Sequence, residues 1–351
     1  SEPFFLLLSH KAVHGPFLTN GDNVKIYDNE EIHLPQSWHE DLTNKPAFIR
    51  CRDITGMVDD FHLEKKILNY LRTLMSVEES TGRIFQMLDS LEITDDTFIV
   101  FSSDHGYHHG EHNLTGKQTA YEESIKIPLF CRYPSWFLPG MEVTDQLALI
   151  IDIPHTILEL AEVNNFGDMK GISLYNLANH LEFRENILIE NMHVNQNPLS
   201  ARCTPDIKGI RGKKYKYVVY PKTDYIQELY DLSSDPIEVT NLFFDSSYYS
   251  VIDSMRCQLD SLRQDIGDTL NGIIDIEIPD IEANSGDTVD IPIIIQYPVN
   301  RTLNRFSLTL AGFENGLNFI DFSCDTNILQ TDWLLDWNDY GQIRLNGSSE
   351  E

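Results

Sequence analysis

The feature that most constrains this chain is a helix-period segment that ends against a short apolar run. Ile67, Leu71, Leu74, Ile84, Leu88 and Leu91 recur at helical spacing between about Phe61 and Leu91. Thr97 to Phe101 then reads as a buried strand that stops at Ser102-Ser103-Asp104-His105-Gly106. Helix followed by apolar strand is the rhythm of an α/β fold, and ligands in such sheets bind beyond the carboxyl ends of strands. Pro3 to Leu8 (PFFLLL) is a second strand-like run, followed by Ser9 to Phe17 (SHKAVHGPF). Residues 18–60 lack a period and are predicted to be a long surface excursion. Asp152-Ile153-Pro154 predicts a helix start with Asp152 as its cap.

The texture changes twice more. Residues 208–232 predict a small antiparallel sheet, with a helix at about 247–265 packing on it through Val251, Ile252, Met255, Leu259 and Leu262. From Gly267 onward there are 15 acidic and 3 basic residues, alternating apolar patterning and a turn signal at Asn284-Ser285-Gly286-Asp287. Three regions follow: an α/β domain over 1–200, an antiparallel α+β subdomain over 201–270 and an acidic β-sandwich-like module over 271–351.

Charge narrows the function classes. The 351 residues carry 55 acidic and 26 basic side chains, a formal charge of −29. Such a chain repels a nucleic-acid backbone. No apolar run approaches the roughly 20 residues of a membrane span. The five cysteines are scattered and odd in number, which disfavours a disulfide scaffold or a cysteine-built zinc site. The chain begins without Met or a signal peptide, and a true N-terminus further upstream is expected.

Chemistry concentrates in Ser102 to Leu129 (SSDHGYHHGEHNLTGKQTAYEESIKIPL). Asp104 and His105 offer a metal one oxygen and one nitrogen at a strand end. Lys117 follows in a loop where an ammonium meets an anion. His14, after the other strand-like run, is placed to reach the same sheet edge. Residue types alone leave a metal or anion site and a solvated histidine-rich loop equally open, and His14 before Gly15-Pro16 also reads as a turn residue.

Three stretches, in order, resemble a type I sulfatase of the alkaline phosphatase superfamily. They are SHKAVHGPF, SSDHGYHHGEHNLTGKQTAYEESIKIPLFCRYP and GIRGKKYKYVVYPKTDYIQELYDLSSDPIEVTNLF, within residues 3–268. The resemblance implies an alkaline-phosphatase-like mixed sheet with flanking helices, present in part. It implies hydrolysis of a sulfuric ester on a sulfated carbohydrate by a periplasmic or secreted enzyme. Asp104 and His105 match two metal ligands, for calcium in the usual case, with magnesium or manganese left open by the histidine. Lys117 matches the lysine on the sulfate, and His14 the histidine that protonates the leaving alcohol. Tyr107, His108, His112 and Glu122 are neighbours expected to touch the sugar.

The family's nucleophile is a formylglycine made from the first residue of C/S-x-P-x-R. No such motif precedes His14, and Cys203-Thr204-Pro205-Asp206-Ile207 lacks the arginine and comes after Lys117. The expectation is therefore a C-terminal portion of a sulfatase, inactive and poorly stable alone. A phosphodiesterase or phosphonate hydrolase of the same superfamily and a non-catalytic sulfatase-like domain are the alternatives. The final module resembles a cohesin, which implies a dockerin-type partner. Sequons occur at Asn113, Asn300 and Asn346; the first lies in the proposed active-site loop and is given no weight.

Overall fold

The computed structural model describes residues 3–17, 21–163, 167, 169–192, 204–221, 223 and 225–266, and beyond them the backbone of five strands. Residues 1–268 form one compact unit and 269–351 a second. The first runs α1 (Ala47–Cys51), α2 (Asp60–Ser90), β1 (Ile99–Ser102), β2 (His108–His109), β3 (Thr115–Gly116), α3 (Glu122–Ile125), β4 (Leu129–Arg132), α4 (Asp152–Leu160), α5 (Leu174–Ala178), β5 (Asn186–Asn191), β6 (Ile207–Gly212), β7 (Tyr215–Val219), β8 (Glu228–Asp231) and α6 (Tyr249–Asp265).

The long periodic segment is a helix throughout. The Asp59 side chain caps α2 by accepting from the His62 N–H at 2.9 Å, and Leu63, Val77 and Leu88 are buried along it. The 208–232 region is antiparallel, with strand order β5-β6-β7-β8. Its first strand, β5, comes from before residue 200, so this sheet crosses the boundary expected there. Alternation along its strands gives two apolar faces. Ile210, Tyr217, Val219 and Leu229 pack on Ile252, Met255 and Leu259 of α6, as the helix periodicity predicts. Ile207, Val218, Tyr220 and Tyr230 pack on Phe48 and Ile49 of α1 and on Leu114, Ala120 and Tyr121. The second face thus anchors the loop that carries Lys117.

Four expectations need correction. Residues 18–60 are not a surface excursion throughout, since Trp38, Leu42, Phe48, Ile49 and Ile54 are buried and α1 joins the core. Residues 3–8 form no strand; they run without a ladder partner and leave Phe5 72% and Leu7 81% exposed. An apolar run becomes a strand only where a neighbour pairs with it, and no described strand lies alongside. Strand β1 pairs antiparallel with β4 and is half-buried, rather than lying in a doubly covered parallel sheet. Asp152 is the first residue of α4 and does not cap it. It is buried, accepts from the Leu149 and Ile172 N–H groups, and is clamped by both Arg184 nitrogens at 2.7 Å.

In the second unit, β9 (Asp275–Glu277) pairs antiparallel with β10 (Ile294–Gln296). A three-stranded antiparallel sheet has the order β11 (Arg305–Leu310), β13 (Ile343–Ser348), β12 (Leu334–Trp337). The turn signal at 284–287, the Cys203-Thr204-Pro205 start and the Asn300 sequon fall wholly or partly outside the described residues.

Candidate active site

The chain turns sharply after β1, and Gly106 makes this possible. A Cβ there would collide with the Glu123 carbonyl oxygen, and the Gly106 N–H donates to Ser124 O at 2.9 Å. Backbone contact with α3 therefore fixes the residues just before it. Asp104 is exposed at this end, and its Oδ1 accepts from the His105 N–H at 3.1 Å. His105 Nδ1 lies 2.8 Å from Gly106 O, so that nitrogen carries the proton and Nε2 presents a lone pair. That lone pair sits 3.3 Å from Asp104 Oδ2 and receives a hydrogen bond from Lys117 Nζ. The structure thus brings Asp104, His105 and Lys117 together. Two electron-pair donors this close need a cation beside them, and the Lys117 ammonium supplies one.

The same pair tests the expected metal. A histidine that donates one ring nitrogen to a backbone carbonyl and frees the other has the arrangement of a metal ligand. Asp104 and His105 would hold such an ion from one side. A calcium-like cation takes 6–8 oxygen ligands. Among the described residues no group of three or more His, Cys, Asp or Glu side chains converges on one point. These residues therefore fit one part of a metal site.

His14 is exposed, and its Nδ1 lies 2.8 Å from the adjacent Gly15 carbonyl. It follows no strand, contrary to expectation. Its segment nevertheless reaches the loop through Phe17, whose ring centroid is 6.2 Å from those of Tyr107 and His109 and 5.5 Å from that of Tyr70. The Tyr107 hydroxyl lies 3.4 Å from Thr115 Oγ1, and the residue is partly exposed beside the site.

The other expected sugar contacts behave differently. His108 and His112 have no accessible surface, so neither can touch a substrate in this conformation. His108 Nε2 pairs with Thr119 Oγ1 at 2.8 Å, and burial pushes its pKa down to about 3. His112 Nδ1 lies 2.9 Å from Glu40 Oε1 and Nε2 3.4 Å from Glu123 Oε2, with the ring stacked on Tyr121. Burial works against its charge, but the two carboxylates outweigh it and hold the pKa at about 9. Glu122 is bonded by both Arg211 nitrogens at 3.2 and 3.3 Å and by Lys216 at 2.7 Å. All three residues tie the loop to its surroundings. Asn113 does the same, accepting from the His39 N–H at 2.7 Å and donating to Glu40 O at 3.1 Å. Only 3% exposed, it offers a glycan no entry.

Sequence reasoning missed Glu40, Arg52 and Glu123. Arg52 Nη2 donates to Lys117 O at 2.8 Å, and Nη1 reaches Gln118 O at 3.5 Å. Nothing local in the sequence signals the reach of Arg52 to residue 117.

Residues 1–163 match the family model described as sulfatase, and residues 110–265 the model for the C-terminal part of N-sulphoglucosamine sulphohydrolase. The N-acetylglucosamine-6-O-sulfatase of Bacteroides thetaiotaomicron is 26% identical over 229 residues, covering 64% of this chain and 40% of that protein. The chain spans about half the length of the curated relatives it matches. A solved protein in complex with its substrate D-glucosamine-2-N,6-O-disulfate shares the fold with a TM-score of 0.65. It is 20% identical, over 73% of this chain and 64% of that one. A phosphonate monoester hydrolase from Silicibacter pomeroyi aligns with a TM-score of 0.63 at 20% identity, over 76% and 56% of the two chains.

Proposed function

Because the chain belongs to the sulfatase family, we propose that it is the C-terminal part of a sulfuric ester hydrolase acting on a sulfated carbohydrate. The observation that carries this reading is the meeting of Asp104, His105 and Lys117 at the end of β1. The Lys117 ammonium stabilises negative charge that builds on the sulfuryl oxygens as the S–O bond breaks. His14 gives its proton to the departing alcohol oxygen, a task suited to imidazole near neutral pH. Asp104 and His105 would hold a calcium, magnesium or manganese ion that adds positive charge beside the same oxygens. The formylglycine nucleophile is expected from a segment outside these 351 residues, and the chain alone is expected to be inactive. A carbohydrate ester agrees with the glucosamine substrates named for the relative and the fold neighbour. A secreted or periplasmic location and a cohesin-like final module with a dockerin-type partner belong to the same proposal.

The phosphonate hydrolase neighbour supports one competing reading, so the test must separate the two. The full-length protein carrying this chain is expected to release sulfate from sulfated monosaccharides, measured by ion chromatography. Lys117→Met should lower kcat/KM by about 10²–10³. Turnover of a phosphonate monoester with no sulfate release from any sulfated sugar would overturn the proposal.

A further inference from the structure

In a chain with 55 acidic and 26 basic residues, a base without an acid partner stands out. The partly or fully buried Arg72, Arg184, Lys208, Arg211 and Lys216 each have a carboxylate within 4.0 Å. Around β3 the pattern breaks. Arg52, Lys66 and Lys117 are all partly buried, come from three separate elements, and among the described residues none has a carboxylate that close. Positive charge tied to one short loop is thus left without a carboxylate beside it, and an anion is its complementary ligand.

The donors are not equally committed. Arg52 is held by the carbonyls of residues 117 and 118. Lys117 faces His105. Among the described residues Lys66, projecting from α2, bonds only the Thr115 hydroxyl, and an ammonium has three N–H donors. Its Nζ also lies 5.7 Å from the centroid of the partly exposed Tyr107 ring. Lys66 therefore has donors to spare, beside a flat apolar surface of the kind that covers the C–H face of a sugar. The Thr115 side chain that Lys66 bonds is two residues from Lys117, at most about 7 Å along the backbone, so both lysines serve the same short loop.

We propose that Lys66, with the Tyr107 ring beside it, binds a second anionic group, a sulfate or carboxylate, on the saccharide whose ester lies at Lys117. The inference rests on the sulfatase reading and narrows it to polyanionic substrates.

The test compares three substrates of the full-length protein by sulfate release at low salt. They are glucosamine 6-O-sulfate, glucosamine-2-N,6-O-disulfate, and a glucuronate-linked 6-O-sulfated disaccharide. At least one dianionic substrate is expected to show a kcat/KM tenfold or more above the monosulfate, and which one identifies the second group. Lys66→Met should cut that preference below about twofold while leaving the monosulfate unchanged, and Lys66→Arg should keep most of it. Lys117→Met should depress all three. Equal kcat/KM for all three in the unaltered protein would overturn the inference, with no need of a variant, and leave the sulfatase reading standing. So would a Lys66→Met loss shared equally by all three. Turnover of none of the three would overturn the inference as stated for these saccharides, and the sulfatase reading falls with it only if no other sulfated sugar releases sulfate.

Discussion

Lys216 offers the sharpest test of how the Lys117 loop is held. It lies on β7 with no accessible surface. Its ammonium bonds Glu122 Oε1 and Glu238 Oε1, each at 2.7 Å, and Ala120 O at 2.9 Å. One cation thus joins the sheet to α3 and the segment after Lys117. Removing one member of a buried ion pair costs about 3–5 kcal/mol, because a charge is left uncompensated. Burial pushes Glu122 up, but Lys216 and Arg211 together hold it below its usual value, so in Lys216→Met the arginine still covers it. Glu238 has no such reserve: burial already raises its pKa, and Lys216 is what opposes that. The loss should therefore fall near the lower end, about 3 kcal/mol. For a unit of this size that is roughly 6–12 °C in melting temperature. Without the lysine, Glu238 escapes its penalty by taking a proton, so the deficit should shrink as pH falls. Adding Glu238→Gln removes the stranded charge while keeping an acceptor for the Glu122 N–H, and should recover at least about 1 kcal/mol. Urea unfolding of the single variants and the double variant at two pH values measures each quantity. A loss under about 1 kcal/mol for Lys216→Met, or no recovery in the double variant, would refute the reasoning.

Two further outcomes follow from the same loop. Burial holds His108 near 3 and His109 near 4, while Glu123 and Glu40 keep His112 near 9. Below the ordinary 6.5, the unfolded chain binds two protons that the fold refuses, so these groups lower stability by roughly 2.7 kcal/mol per pH unit toward pH 4. Above 6.5 the fold keeps one proton that the unfolded chain releases, so stability falls by roughly 1.4 kcal/mol per unit toward pH 9. Their combined optimum is near pH 6.5, and His112→Gln should flatten the alkaline limb alone. Unfolding curves from pH 5 to 9 check this; an alkaline limb that persists in the variant would contradict it. Separately, Gly106→Ala should lower stability by about 1–3 kcal/mol, since its Cβ meets backbone rather than a movable side chain. Gly56→Ala, with open space around it, is the control and should leave the melting temperature unchanged.

The sequence made legible whatever is written locally. Helix α2 could be read because its apolar positions repeat over 31 residues, and α6 because Ile252, Met255 and Leu259 keep one face. Asp104, His105 and Lys117 lie within 14 residues of one another, so their meeting needs only the turn at Gly106 and the short hairpin of β2 and β3. What stayed hidden depends on partners remote in sequence. PFFLLL has a strand's composition, but composition does not say whether a neighbour pairs with it. Asp152 looks like a cap until Arg184, 32 residues later, claims both its oxygens. The histidines show this most plainly. His105, His108 and His112 are the same residue type within eight positions, yet the fold gives them three different states. One turns a ring nitrogen toward an exposed carboxylate and the Lys117 ammonium. One is neutral because burial outweighs the charge near it, and one is charged because Glu123 and, from 72 residues away, Glu40 both face it. Residue type proposes a set of chemistries, and long-range burial and pairing select among them. The groups proposed to act are therefore easier to read from sequence than the groups that hold them in place.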